Sequence, residues 1–160
     1  MTERKSVEEL YPGTHPLTDA QVGDDLGTMD FVLSSDTAER NAWANDDYNP
    51  WYMDGSPFGG RLASPVLLAS FDAKLFYGYY SYPADGSLFA KQEFSYLKPV
   101  FLDTPYVLSG SLERIYERKG RTFYRVAEVV RDAGGAEVMH MWKTIASPVT
   151  PRPTGSEDEA

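Results

Sequence analysis

The 160-residue chain contains no cysteine, and this absence excludes several kinds of structure and chemistry. Without a thiol there is no disulfide framework, no thiolate nucleophile, no zinc ribbon and no cysteine-ligated iron–sulfur cluster. Histidine is nearly absent as well, because His15 and His140 are the two in the chain. Neither has the local sequence of a Ser-His-Asp triad, and no His or Asp/Glu grouping has the spacing of metal ligands. We therefore expect no metal site.

Long apolar runs are also missing from the sequence. None approaches the roughly 20 residues that cross a bilayer, and no basic segment followed by an apolar one opens the chain. We therefore expect a soluble, cytoplasmic protein without a membrane partner. Acidic residues outnumber basic ones and give a formal net charge of −9. A surface this acidic repels phosphate backbones, so we expect no nucleic-acid partner.

One basic stretch interrupts this acidic background. Six Lys and Arg residues lie between positions 114 and 131, and Arg118 and Arg121 flank a predicted turn at Lys119-Gly120. Two interpretations stay open: a solvated hairpin, or a binding strip for a phosphorylated carrier such as coenzyme A. In the second interpretation, Arg118 and Arg121 are substrate-binding residues.

Composition divides the chain into three parts. Residues 1–28 are polar and rich in turn formers, which predicts an irregular N-terminal arm. Residues 149–160 combine prolines with acidic residues, which predicts a disordered acidic tail. Between them, residues 29–148 form one domain without internal repeats.

Hydrophobic periodicity predicts a strand, two helices and four further strands. The first strand covers residues 30–34, and Ser35 or Asp36 caps the helix that follows. A second helix runs from about Ser64 to Tyr77, with Ser64 as N-cap and Pro65 in its first position. Alternating apolar residues between turn formers predict the other strands at residues 88–98, 106–116, 122–131 and 136–146.

A long buried helix followed by an antiparallel meander is an α+β pattern. A sheet of this size has to cover its apolar face, and a single central helix wrapped by the sheet does so. That architecture is the hot-dog fold, which we predict here. The sheet leaves one edge open, so we expect a homodimer or a heterodimer with another hot-dog subunit.

The loop ahead of the second helix has the most unusual sequence in the chain. It reads Asp47-Tyr48-Asn49-Pro50-Trp51-Tyr52-Met53-Asp54, and Gly59-Gly60-Arg61-Leu62-Ala63-Ser64-Pro65 then leads into the helix. This sequence resembles the MaoC-type hot-dog hydratases and dehydratases, which show Asp-x-Asn-Pro-x-His-x-Asp and then a Gly-rich turn. The resemblance covers residues 23–148. It implies a hydro-lyase that acts on acyl-CoA or acyl-carrier-protein thioesters and uses no cofactor.

Adding water across an α,β-unsaturated thioester requires a base, an acid and donors for the enolate oxygen. In the family, the Asp and His of the motif hold the water, and an N–H at the start of the central helix binds the thioester oxygen. The resemblance assigns Asp47 to the family aspartate. It places Tyr52 at the family histidine and Pro65 at the glycine that supplies the N–H. A phenol with a pKa near 10 is a poor base at neutral pH, and proline has no N–H.

These departures are closer to the N-terminal, FAS1-like half of double-hot-dog dehydratases, whose catalytic residues lie in the partner. The resemblance therefore implies the acyl-binding subunit of a hydro-lyase heteromer. Two alternatives stay open. One is a self-sufficient hydro-lyase with Asp47 and Tyr52 as its catalytic residues. The other is a non-enzymatic or natural-product tailoring protein.

Further candidates for substrate binding lie around the motif and after the second helix. Asn49, Ser64 and Pro65 shape the loop and the helix start, where the resemblance implies contact with the thioester. Phe76 and Tyr77 open an aromatic run. Its rings either complete the core or form the wall of a tunnel for a bulky or ring-containing acyl group.

Overall fold

The computed structural model describes residues 13–68, 73–81 and 86–151. The predicted acidic tail and the first twelve residues of the predicted arm lie largely outside these ranges. The helices of the described residues are α1 (Ser35–Asn45), α2 (Pro50–Met53), α3 (Pro65–Leu68) and α4 (Ala73–Tyr79). The strands are β1 (His15–Pro16), β2 (Asp25–Val32), β3 (Tyr80–Ser81), β4 (Leu88–Tyr96), β5 (Pro105–Arg118), β6 (Arg121–Asp132) and β7 (Glu137–Ser147).

Five strands form one antiparallel sheet in the order β2-β5-β6-β7-β4. Buried and half-buried side chains alternate along β6, so Tyr124, Val126 and Val130 point to the same face. Leu67 of α3 and Phe76 of α4 belong to the same buried cluster as these three residues. One face of the sheet therefore packs on the helices, which confirms the predicted α+β class.

Both ends of β4, β5, β6 and β7 lie within two residues of their predicted positions. β2, which corresponds to the predicted strand at residues 30–34, instead begins five residues early, at Asp25, inside the predicted arm. A bulge between Asp25 and Thr28 puts one extra residue opposite β5. Leu26 and Phe31 consequently both reach the core although they lie five residues apart. Residues on the same face of a regular strand have an even separation. The bulge interrupts this alternation, so hydrophobic periodicity does not predict the start of the strand.

The N-terminus of α1 is fixed by two capping groups. Ser34, rather than the predicted Ser35 or Asp36, is the N-cap, and its Oγ accepts a hydrogen bond from the Thr37 N–H at 3.2 Å. Asp103, from the turn before β5, accepts hydrogen bonds from the Ser35 N–H at 2.9 Å and from the Ser35 hydroxyl. These bonds hold the pKa of the Asp103 carboxyl below its usual value. The cap thus joins α1 to the end of the sheet.

The second predicted helix corresponds to α3 and α4, and residues 69–72 between them lie outside the described residues. Ser64 is confirmed as a capping residue, because its Oγ accepts from the Leu67 N–H at 3.3 Å. Pro65 is the first residue of α3, as predicted.

The described part of the aromatic run, from Phe76 to Tyr80, packs its rings in or against the core. α4 continues to Tyr79, and Phe76 is 2% exposed. The Tyr80 hydroxyl donates to Asp24 Oδ2 at 2.5 Å, and burial together with this carboxylate raises the pKa of Tyr80. Tyr77 is half-buried and packs against the same cluster. Of the two interpretations of this run, the structure supports the core.

Candidate functional site

An apolar groove of about 420 Å³ lies between the loop after α1 and the end of β4. Its size falls within the range of small-ligand sites. Aromatic and aliphatic side chains dominate its lining, which comprises Trp51, Tyr52, Phe58, Leu62, Ala63, Pro65, Tyr96, Leu97, Lys98, Pro99 and Val100. The groove therefore suits an elongated apolar ligand with few polar atoms.

A much smaller cleft also has Tyr52 in its lining. Its volume of about 10 Å³ is close to the least space that holds one water molecule. A carboxylate, an amide, a hydroxyl and a phenol meet there, and its lining comprises Ala38, Asn41, Ala42, Asp47, Tyr52 and Ser64. Chemically, this set can bind one water and hold its protons by hydrogen bonds. The structure thus brings the two predicted catalytic residues, Asp47 and Tyr52, to one cleft.

Local backbone geometry explains how these two side chains meet. Asp46 ends α1 in the left-handed conformation, with φ 53°, and the Asp47 N–H then donates to a carbonyl of α1 at 2.9 Å. Asn49 caps α2, because its side-chain oxygen accepts from the Trp51 N–H at 3.0 Å. α2 is a single turn, so Tyr52 returns toward Asp47. The aspartate and Asn-Pro of the motif therefore have clear roles in shaping the loop.

Arg61, which the sequence analysis did not select, ties this loop to α1. Its Nε donates to the Tyr52 carbonyl at 2.7 Å, and its Nη1 lies 3.2 Å from Glu39 Oε1. Its charge also contributes to the lowered pKa of Asp103. In the sequence, the available signal for Arg61 was its position directly after the Gly59-Gly60 turn of the motif. The sequence did not show which groups Arg61 would contact, because its partners lie far from it along the chain.

The wall opposite Tyr52 comes from the end of β4. Partial burial, together with the nearby Tyr52, raises the pKa of Tyr96 to about 12, so its phenol remains a hydrogen-bond donor at neutral pH and well above it. Lys98 lines the same wall, and its Nζ lies 3.6 Å from Asp132. Sequence reasoning missed Tyr96 because nothing in a strand sequence shows which loop its end will face.

The start of α3 separates the groove from the cleft. Pro65 lines the groove and Ser64 lines the cleft. Position 65 offers no N–H, and the Ser64 Oγ already accepts from the Leu67 N–H. The side-chain donors in the groove lining thus include the hydroxyls of Tyr52 and Tyr96 and the ammonium of Lys98.

Four other predicted substrate-binding residues are not brought to this site within one chain. Phe76 and Tyr77 line neither the groove nor the cleft, and the Phe76 ring lies 6.2 Å from that of Tyr124 in the core. Arg118 and Arg121 face each other at the β5–β6 turn, where Arg121 Nη1 donates to the Gly86 carbonyl at 2.6 Å.

Strand register separates that turn from the groove. Tyr96, on the groove wall, pairs with Met139, and Met139 pairs with Val130 of β6. Val130 lies nine residues along β6 from Arg121. At 3.3 Å per residue this is about 30 Å, far beyond the reach of an arginine side chain. Carrier binding by Arg118 and Arg121 remains a prediction from the sequence.

Both histidines lie away from the groove and the cleft. The His15 ring stacks on Tyr79 with a centroid separation of 4.0 Å. His140 Nε2 lies 2.8 Å from Glu137 Oε2, and strand alternation puts it on the sheet face opposite Met139. Within the described ranges, no three His, Cys, Asp or Glu residues group as metal ligands, and no helix is long and apolar enough to cross a membrane.

Comparison with family models and with curated proteins finds no match. Solved structures do share the fold. The (R)-hydratase from A. caviae involved in PHA biosynthesis has a TM-score of 0.66 and 20% identity over 81% of this chain and 98% of its own. The MaoC-like dehydratase from Rhodospirillum rubrum has a TM-score of 0.67 and 21% identity over 88% of this chain and 99% of its own.

A third structure is a complex. C-terminally truncated HadBC, a 3R-hydroxyacyl-ACP dehydratase complex from Mycobacterium tuberculosis, has a TM-score of 0.71 and 15% identity over 82% of this chain and 100% of its own. At these identities the likeness establishes the fold. The chain has the predicted hot-dog fold, and its structural neighbours are R-hydratases and MaoC-like dehydratases.

Proposed function

We propose that this chain is the acyl-binding subunit of a hydratase or dehydratase that acts on acyl thioesters of coenzyme A or an acyl carrier protein. One observation carries the proposal: Tyr52 lines both the apolar groove and the water-sized cleft that contains Asp47. An acyl chain can fill the groove while its reacting carbons lie beside Tyr52. The reaction moves one water and its protons, so it requires no cofactor.

The residues that line the cleft support a binding role rather than a complete active site. Asp47 can orient a water, and it lines the cleft together with Tyr52. The sequence resemblance assigns Tyr52 to the family imidazole that would exchange a proton with this water, and Pro65 to the residue that donates to the oxyanion. General acid–base catalysis and oxyanion stabilisation each contribute on the order of 10²-fold or more, so a chain without both is a weak catalyst. We infer that a partner subunit supplies these groups.

The exposed edge of the sheet supports a hot-dog partner. β4 is the last strand in the sheet order, and Leu88 and Phe89 at its start are exposed. Tyr96 and Leu97 at its end are also exposed and line the groove. A second sheet paired with β4 would cover these apolar side chains and reach the groove. HadBC, which is similar in fold, is a complex. We therefore infer a homodimer or, preferably, a heterodimer formed through β4.

A hydration assay on the homogeneous chain tests the proposal. The loss of the conjugated enoyl-CoA thioester is expected to stay at the buffer rate for the wild type and for Asp47→Asn alike. Equilibrium binding of the same thioester to both samples checks that the groove is intact. Wild-type turnover that drops about 100-fold in both Asp47→Asn and Tyr52→Phe would establish the self-sufficient hydro-lyase instead. Absence of thioester binding would favour the non-enzymatic alternative.

A further inference from the structure

Two large aromatic side chains stand at the rim of the groove rather than in the core. Trp51 is 45% exposed and Phe58 is 56% exposed. Their ring centroids lie 5.9 Å apart with the planes at 90°, an edge-to-face arrangement. The two rings therefore form two apolar walls at a right angle rather than one flat patch.

Hydrogen bonds fix the loop backbone that carries both rings. The Ser56 Oγ donates to the Gly60 carbonyl at 2.6 Å and accepts from the Phe58 N–H at 3.3 Å. The Trp51 carbonyl accepts from the Leu62 N–H at 2.8 Å. Because the loop is closed on itself, binding a ligand against the two rings requires little ordering of the protein.

The size of the acyl group decides how fully it can use these rings. An acyl thioester that reacts at the cleft has its first carbons at Tyr52, which lines both the cleft and the groove. A four-carbon acyl group placed in this way leaves most of the 420 Å³ in water. A larger group fills more of the groove, whose lining includes Trp51, Phe58 and Tyr96.

We infer that Trp51 and Phe58 select acyl groups that carry a flat ring over short linear acyl groups. The inference rests on the proposed function and names its substrate class. A planar ring lies against one wall and meets the other edge-on, which removes apolar surface of the ligand and of both side chains from water. A short linear chain makes neither the face contact nor the edge-on contact.

Equilibrium binding of three probes to the full-length chain tests this selection. Cinnamoyl-CoA and crotonyl-CoA are both α,β-unsaturated and differ in a phenyl or methyl group on the β-carbon, and unacylated coenzyme A is the reference. We expect cinnamoyl-CoA to bind about 10-fold more tightly than crotonyl-CoA. Trp51→Ala and Phe58→Ala should each reduce that ratio by about 5-fold. The matched control Trp43→Ala, whose ring is 77% exposed on α1 and does not line the groove, should leave the ratio unchanged.

The outcomes separate this inference from the proposed function. Equal wild-type affinity for the two thioesters, or the same loss of ratio in Trp43→Ala, overturns the ring selection alone. If neither thioester binds more tightly than coenzyme A, the proposed function fails as well. Light scattering on each sample tests the alternative that the two rings contact a second chain. If Trp51→Ala changes the dimer fraction but not the affinity ratio, the rings seat a second chain, and the ring selection is overturned.

Discussion

The double variant Tyr52→His/Pro65→Gly is expected to hydrate enoyl-CoA about 100-fold or more faster than the wild-type chain. Residue 52 shares the cleft with Asp47, and an imidazole, smaller than a phenol, fits the same space. The reference pKa of an imidazole, near 6.5, allows it to take and return a proton at neutral pH. Glycine at position 65 restores an N–H at the helix start that lines the groove.

Single variants and a matched control make this result interpretable. Tyr52→His alone restores the acid–base group, and Pro65→Gly alone restores the oxyanion donor, so each should give part of the gain. Tyr48→His adds the same side chain on the same loop at an exposed position that lines neither the groove nor the cleft. A double variant that folds and binds the thioester, yet is no faster than Tyr48→His, would show that these two positions do not limit activity.

Phe76→Ala is expected to lower the free energy of unfolding by about 3–5 kcal/mol. The Phe76 side chain is 2% exposed, and its ring lies 5.0 Å from that of Tyr80 and 6.2 Å from that of Tyr124. Truncation leaves a cavity in the core that its aromatic neighbours cannot fill without rearranging. Urea-induced unfolding of the variant and the wild type measures the difference.

Phe58→Ala is the control for this second prediction. Phe58 is 56% exposed, so its truncation should change stability by only about 0.5 kcal/mol. Thioester affinity should show the opposite pattern: it should fall in Phe58→Ala and stay unchanged in Phe76→Ala, because Phe58 lines the groove and Phe76 does not. Loss of thioester affinity in Phe76→Ala without loss of stability would support the tunnel-wall interpretation and contradict the core assignment.

The strands of the meander were predictable because two local signals agree. In β6 buried and half-buried positions alternate along the strand, and apolar residues such as Tyr124, Val126 and Val130 occupy most of the buried ones. Lys119 and Gly120 before it both adopt positive φ. Alternation fixes which side chains share a face, and such turn residues fix where the strand stops. Tertiary contacts are not needed to locate elements of this kind.

Other features depend on contacts that a local pattern does not contain. Three successive residues are good N-caps: Ser34, Ser35 and Asp36. The choice among them depends on Asp103, in the turn before β5, which accepts from the Ser35 N–H and leaves Ser34 as the cap. The bulge in β2 is likewise set by its pairing with β5, where Leu112 exchanges backbone hydrogen bonds with the turn before the strand. Sequence reasoning therefore located these elements but misplaced their ends.

The candidate site divides in the same way. Asp47 and Tyr52 lie five residues apart on one loop, so the motif alone predicted that they act together. Tyr96 reaches the groove only through the pairing of β4 with β7. The aromatic composition of the run at Phe76 was informative about burial but not about which cavity the rings face. Local sequence thus identified the cleft, and the fold was needed to find the groove.

Reconstitution of a heteromer tests the central claim most directly. The chain is mixed with a hot-dog subunit that carries the intact Asp and His of the motif, preferably one encoded beside it, and enoyl-CoA hydration is followed for each protein alone and for the mixture. The account predicts a stable complex with turnover about 100-fold or more above either protein alone. Turnover by this chain alone that equals that of the mixture, or a stable complex no faster than the partner alone, would contradict the account.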